Sequence, residues 1–245
     1  MSAVRTFCVV ACAALSACVI ATIRTPVDPA ATLPAPRDEG WQRRVDADLA
    51  AARAGGHRVV FVGDSITQGW REAGKDVWRE VWEPRHALNL GIGGDRTQHV
   101  LWRLDHGLLE ALAAPNNDVR VCVVMIGTNN TNGDDHQAGG IGDGIGAIVA
   151  RLRHALPKAK VLLLAIFPRG ERPDAQREKC ASASWYASMM FDGDDHVLCR
   201  DIGAHFLTAD GTLTKDVMHD FLHLTAAGYR IWADAIVADV DAMLK

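Results

Sequence analysis

Five short apolar runs punctuate this chain, and each is followed or preceded by a stretch of helical periodicity. The runs are RVVFVG (58–63), HALNLGIGGD (86–95), VRVCVVMIGTNN (119–130), KVLLLAIFP (160–168) and HVLCRDIG (196–203). Their apolar cores are too short for helices and rich in Val, Ile and Leu, so they read as strands. VVM and LLL are apolar throughout, as expected for strands covered on both faces. Between and around them, 41–55, 95–112, 144–156, 175–190 and 225–244 carry helical spacing. Val100, Leu101, Leu104, Leu108 and Leu109 share one face of the second of these. Alternation of this kind predicts an α/β fold, a parallel sheet with helices on both sides and right-handed crossovers. Sites in such sheets form beyond the carboxyl ends of the strands.

The 245 residues suit one domain, with a net charge of −4 and 49% hydrophobic residues. The absence of any basic run argues against nucleic acid as a partner. The first residues, MSAVRTFCVVACAALSAC, place one Arg before an apolar stretch and then small residues, a secretory signal layout too short to span a membrane. Leu15-Ser-Ala-Cys18 resembles a bacterial lipobox, which implies cleavage after residue 17 and acylation of Cys18. The simpler alternative is a plain secretory signal with an incidental Cys18. Val19 stands where an Asp often retains lipoproteins at the inner membrane, so an outer-membrane or cell-surface location is expected. Residues 18–40, rich in Pro, Ala and Thr, read as a tether, and 41–245 as the folded domain. Cys122 reads as a small core residue. Cys180 and Cys199 could pair in an oxidising compartment, although spacing does not fix their geometry.

The strand ends gather chemistry. Gly63-Asp64-Ser65 follows the first strand, Gly91-Ile-Gly-Gly-Asp95 the second and Gly127-Thr-Asn-Asn130 the third, while Asp220-Phe-Leu-His223 precedes the last helix. These are the parts of an acyl-transfer site: a nucleophile, oxyanion donors, a base and its orienter. Each also has a plain structural reading. Ser65-Ile-Thr-Gln68 and Asp95-Arg-Thr-Gln98 both fit helix capping boxes, and Asn129 fits a turn. The surrounding G-x-S-x-G elbow of the α/β-hydrolases is missing. GDGIGA at 142–147 matches a dinucleotide-binding variant but follows no strand. His219-x-x-x-His223 suggests a metal, yet it lacks the Glu of H-E-x-x-H and spacing places no third ligand, so no metal is expected.

Four blocks in order, FVGDSITQGW, NLGIGGD, MIGTNN and DFLHLTAAGY, resemble the SGNH (GDSL-type) hydrolase family. ALNLGIGGDRTQHVLWRL and FPRGERP are similar to its platelet-activating-factor acetylhydrolase catalytic-subunit branch, and bacterial acetyl esterases share the blocks. The resemblance spans roughly 57–240. It implies a three-layer α/β/α sandwich with a five-stranded parallel sheet, the flavodoxin-like fold of that family, and no cofactor. By the same resemblance Ser65 is the nucleophile, His223 the base and Asp220 its orienter. The oxyanion donors are then the N–H of Ser65, the N–H of Gly94 and the side chain of Asn129. The substrate is expected to be a small-molecule or polysaccharide acyl ester, most readily an acetyl ester on a carbohydrate. A lysophospholipase or thioesterase, and a catalytically dead carbohydrate-binding module, are the alternatives. Contact with the membrane is expected only through Cys18, and a homodimer follows from the acetylhydrolase branch. The segment KCASASWYASMMFDGDDH (179–196) fits that branch poorly and is expected to shape the acyl or alcohol pocket.

Overall fold

A computed structural model describes residues 29–245, so the leader, the lipobox and Cys18 lie outside the described residues. Helices and strands alternate along it. Helix α1 (Glu39–Ala54) leads to β1 (Val59–Gly63), and the short helices α2 (Ser65–Gln68) and α3 (Lys75–Val77) lead to β2 (Ala87–Gly91). Next come α4 (Thr97–Arg103), α5 (Leu109–Leu112), β3 (Val121–Met125), α6 (Ala138–Ala155) and β4 (Lys160–Leu164). The chain ends with α7 (Ala175–Met189), β5 (Val197–Arg200) and α8 (Ala226–Met243). The five strands are all parallel in the order β2-β1-β3-β4-β5. β1 is central to the winding, because the chain moves outward from it in both directions. The crevice beyond the ends of β1 and β3 is the topological switch point where such sheets place ligands.

Strand periodicity builds two cores. Val60 and Val62 of β1 face one side, with Cys122, Val124, Val161 and Leu163, under α4, α6 and α7. Val59 and Phe61 face the other, with Val121, Val123 and Leu162, under α8. Phe61 meets Trp78, Trp82 and Trp232 with ring centroids 5.0–6.2 Å apart, and Trp70 lies between them and Tyr229. Such edge-to-face pairs add to the area they bury. No helix among the described residues is long and apolar enough to cross a membrane.

Several expectations shift. The tether reading fails for 29–40. Ala31 is fully buried, its carbonyl accepts from Thr97 Oγ1 at 2.8 Å, and Ala35 N–H donates to the Gln98 carbonyl at 3.1 Å. Residues 29–40 therefore belong to the fold together with 41–245. A Pro- and Ala-rich composition does not distinguish a free linker from a strap docked on a surface. The helix expected across 95–112 breaks at His106 and Gly107, where φ of Gly107 is +94°. α6 starts at 138 and takes in GDGIGA, whose glycines are buried in its interior. A Cβ on Gly142 would stand 2.6 Å from Tyr186 Cβ, and one on Gly144 would stand 2.6 Å from the Ala31 carbonyl. That run is thus a packing seam, not a phosphate loop. Cys122, Cys180 and Cys199 are free thiols, and Cys180 Sγ is turned to Thr131 Oγ1 at 3.7 Å.

Gly144 gives the docked strap a test. Ala is the better helix former by about 1 kcal/mol, whereas overpacking costs about 1–3 kcal/mol. With the Ala31 carbonyl and Thr97 Oγ1 both within 2.7 Å of the new Cβ, overpacking is expected to win. Gly144→Ala should lower the denaturant midpoint, and a midpoint equal to or above the parent's would count against the packing of residues 29–31.

Candidate active site

Ser65 opens α2, directly after β1, and is half-buried. It is not the cap expected of it. Asp64 holds that position, with its carboxylate accepting the Ile66 N–H at 3.0 Å. The Ser65 side chain is therefore left to other partners. α2 has only four residues, so its dipole is small, and any negative charge at Ser65 depends on individual N–H groups. Asp64 is fully buried. Burial pushes its carboxyl up to about 7, helped by the charge of Asp95 and opposed by the Ile66 N–H and by His223.

His223 reaches Ser65 from the last loop. Its Nε2 lies 2.9 Å from Ser65 Oγ, and its Nδ1 lies 2.7 Å from Asp220 Oδ2. Asp220 Oδ1 accepts the N–H groups of Leu222 at 3.1 Å and His223 at 2.7 Å, which fixes the carboxylate against the ring. Partial burial raises the Asp220 carboxyl, but hydrogen bonds from the His223 ring and backbone and the His223 charge outweigh it and bring it to about 2. An ionised Asp220 places the ring proton on Nδ1 and leaves the Nε2 lone pair facing the serine hydroxyl. Ser65, His223 and Asp220 thus form one hydrogen-bonded chain from three positions remote or turned in sequence.

The glycine turn lies alongside. A Cβ on Gly93 would stand 3.7 Å from Ser65 Cβ, and the Gly93 N–H donates to Gln68 Oε1 at 2.8 Å, pinning the turn to α2. Gly94 has φ +77°, a conformation that glycine adopts without strain. Among the described residues the N–H groups of Ser65 and Gly94 make no hydrogen bond. Asn129 follows β3 in a short 3-10 turn, and its Nδ2 donates to the Asp95 carbonyl at 2.9 Å. One amide proton is thereby used to aim the group, and the second is left over. Asn130 has a different duty: buried, it accepts the Thr97 N–H at 3.0 Å and donates to Thr97 Oγ1 and Gln98 Oε1, so it caps α4.

Beneath the turn lies a polar network that sequence reading missed. Asp95 is buried and does not cap α4; the Arg96 N–H is instead satisfied by His99 Nδ1 at 3.0 Å. Asp95 Oδ1 accepts from Trp41 Nε1 at 2.7 Å and Arg37 Nη1 at 3.2 Å, while Arg37 also donates to the Gly93 carbonyl at 2.7 Å. Arg103 Nη2 comes within 3.0 Å of Asp95 Oδ2 as an ion pair, without the alignment of a hydrogen bond. Arg103, a charged residue at the border of an apolar helical stripe, carried a signal in the sequence. Arg37, inside the apparent tether, carried none.

A cavity of about 530 Å³ lies between α7 and the β4–β5 edge and is lined by Ile166, Cys180, Trp185 and Leu207 among others. None of Ser65, Gly94, Asn129, Asp220 and His223 lines it. His219 adjoins the dyad, with Nε2 3.7 Å from Asp220 Oδ2.

The chain matches the model of the GDSL-like lipase/acylhydrolase family over residues 61–231. It is 38% identical over 192 residues to the alpha2 subunit of platelet-activating factor acetylhydrolase IB from Rattus norvegicus, covering 78% of this chain and 80% of that one. It is 40% identical over 171 residues to the human alpha1 subunit, covering 70% of each. Solved structures share the fold. An acetylxylan esterase from Geobacillus stearothermophilus superposes with a TM-score of 0.60 at 18% identity, over 76% of this chain and 94% of that one. A carbohydrate acetylesterase from Sinorhizobium meliloti gives 0.57 at 20% identity, over 76% and 99%.

The buried Asp64 makes stability depend on pH. Its folded value, about 7, lies above the ordinary 3.8, so the native state holds the proton more tightly than the unfolded chain. This contribution is fully present below about pH 3.8 and is lost as pH rises through about 7. Asp64→Asn keeps a capping side chain and removes the titration. The melting temperature of the variant minus that of the parent should climb between pH 4 and 7 and then level off. A difference constant with pH would show that Asp64 does not titrate there.

Proposed function

This chain belongs to the GDSL-like lipase/acylhydrolase family and is an ester-cleaving hydrolase, and within that class we propose that it is a serine esterase for short acyl groups, acetyl above all. The observation that carries the reading is the hydrogen-bonded chain from Ser65 Oγ through His223 to Asp220, at 2.9 and 2.7 Å. His223 Nε2 takes the hydroxyl proton as Ser65 Oγ attacks the ester carbonyl. The negative oxygen of the tetrahedral intermediate is held by the N–H groups of Ser65 and Gly94 and by Asn129 Nδ2. Asp220 stabilises the imidazolium, which then protonates the departing alcohol. Water, activated by the same Nε2, releases the acid from the acyl-serine.

Support for a short acyl group comes from the relatives, which are acetylhydrolases by name, and from structural neighbours named for acetylated carbohydrates. An acetylated carbohydrate or a comparable small ester is the substrate class we favour. Ser65→Ala should lower hydrolysis of p-nitrophenyl acetate by at least about a thousandfold while leaving the melting curve in place. Undiminished turnover would remove Ser65 from the mechanism. Across p-nitrophenyl acetate, butyrate and octanoate, kcat/KM should fall with chain length, and a rise would favour a lipid substrate.

We also propose that Cys18 carries the lipid that holds the enzyme outside the cytoplasm. Cys18→Ser should shift the protein from the membrane fraction to the soluble extracytoplasmic fraction. A variant still pelleting with membranes would argue against the anchor.

A further inference from the structure

The turn that carries Asp220 and His223 also carries a second imidazole, which the acyl-transfer reading does not use. The turn is closed at its base by a bridge between Met218 and Leu224 and by the His219 N–H, which donates to the His223 carbonyl at 3.2 Å. At its apex Phe221 takes a left-handed φ of +60°, so the chain reverses within a few residues. His219 and His223 are consequently cross-turn partners, with ring centroids 6.2 Å apart and planes within 24°. Between them stands Asp220. Its Oδ1 is held by two backbone N–H groups, so Oδ2 faces both rings, 2.7 Å from His223 Nδ1 and 3.7 Å from His219 Nε2. One donor atom from each residue lies within 4.8 Å of the others. Spacing alone had left the histidine pair without a third ligand; the fold supplies Asp220.

We propose that His219, Asp220 and His223 form an inhibitory site for a divalent cation of the Zn²⁺ type, which shuts the enzyme off by taking Nδ1 of the catalytic histidine. The inhibitory effect rests on the acyl-transfer reading, whereas binding of the cation does not. Two imidazoles and a carboxylate suit Zn²⁺, Cu²⁺ or Ni²⁺ and not Mg²⁺ or Ca²⁺, which take oxygen donors. Three protein donors and one water complete a four-coordinate zinc site. Donors bound at about 2.0–2.2 Å in a tetrahedron stand roughly 3.3–3.5 Å apart. The His219 to Asp220 separation needs to close by a few tenths of an ångström, and the Asp220 to His223 separation to open by roughly 0.6–0.8 Å. His219 is exposed, so no packed neighbour has to move for its ring to close that gap.

The proton balance explains the inhibition. Neutral His223 carries one ring proton, which sits on Nδ1 in the working triad. When the cation accepts the Nδ1 lone pair, that proton moves to Nε2 and the ring stays neutral. Nε2 then donates toward Ser65 Oγ where it had accepted, and the serine has no base. Nothing is oxidised or reduced, and removal of the cation reverses every step.

The test has an activity arm and a binding arm, both on the full chain. In the first, p-nitrophenyl acetate hydrolysis is titrated with ZnCl₂, then treated with EDTA, with MgCl₂ in parallel. Zinc should inhibit, EDTA should restore the rate and magnesium should do neither. His219→Ala and His219→Gln, each scored against its own zinc-free rate, should raise the half-inhibitory zinc concentration tenfold or more. In the second, Ser65→Ala is titrated with ZnCl₂ by calorimetry against Ser65→Ala/His219→Ala. One zinc per chain is expected, bound at least tenfold more weakly by the double variant. Equal zinc sensitivity in the His219 variants, or equal affinity in the two titrated chains, would overturn the proposal. If the chain cleaved no ester at all, the acyl-transfer reading would fail, and the calorimetry would still judge the site.

Discussion

A single guanidinium, that of Arg103, lies buried where two neighbouring strands end. It donates to the Leu90 carbonyl at 2.7 Å and to the Gly63 carbonyl at 3.3 Å, at the carboxyl ends of β2 and β1. It also faces Asp95 Oδ2 at 3.0 Å and Asp48 Oδ2 at 3.7 Å. Buried carbonyls at strand ends need donors, and the Gly63 carbonyl, which also accepts the Ile92 N–H at 3.3 Å, gains a second one here. A fork of fixed N–H groups meets several at once, but it brings a charge that two carboxylates must balance. Burial raises both Asp48 and Asp95, and the nearby arginine charges pull them back. Buried ion pairs of this kind add little net stability, yet removing one partner costs about 3–5 kcal/mol. The network therefore acts by dictating one arrangement of the strand ends.

That arrangement sets the geometry above it. Asp95 is held by Arg37, Trp41 and Arg103, so its backbone carbonyl is fixed, and Asn129 Nδ2 is aimed by donating to that carbonyl. Arg37 reaches the Gly93 carbonyl and Gln68 reaches the Gly93 N–H, holding the glycine turn from both sides. Ser65 is secured from the opposite layer as well, because Tyr229 Oη in α8 donates to the Ile66 carbonyl at 2.7 Å. α8 itself begins just after His223. His223 and Ser65 are thus tied through the same helix, and the glycine turn and Asn129 through the charged network.

What was legible in the sequence depended on whether its signal was periodic. The sheet was, because VVFV, VCVV and VLLL are short apolar runs that can only be covered strands. Ser65, Asn129 and His223 were, because each falls at a strand end or helix start that the alternation locates. The network was not. Arg37 sits among prolines and alanines that read as a linker, and its partner Asp95 lies 58 positions away. The Ser65 cap reading was wrong by one residue because Asp64 and Ser65 are both capping types, and only the buried Asp64 carboxylate satisfies the Ile66 N–H. The glycines of α6 misled in the other direction. Low helix propensity delayed the expected start of the helix, while close approach of Tyr186 and Ala31 is what those glycines permit.

The carboxylates of this molecule divide into two regimes, and the division bears on the chemistry. Asp64 and Asp95 are buried, and desolvation raises both. Neither would make a dependable partner for an imidazolium, since a group driven toward neutrality offers less charge. Asp220 is exposed; burial still raises it, but hydrogen bonds from the His223 ring and from the N–H groups of its own turn, with the His223 charge, outweigh that and bring it to about 2. Asp220 is thus kept ionised by local hydrogen bonds, and its placement depends on a five-residue turn, His219–His223, more than on the core. That economy has a structural consequence. A carboxylate oxygen and two imidazoles gathered in one exposed turn are also open to a cation. Burying them would close the turn to cations and, by desolvation, push the Asp220 carboxyl further up.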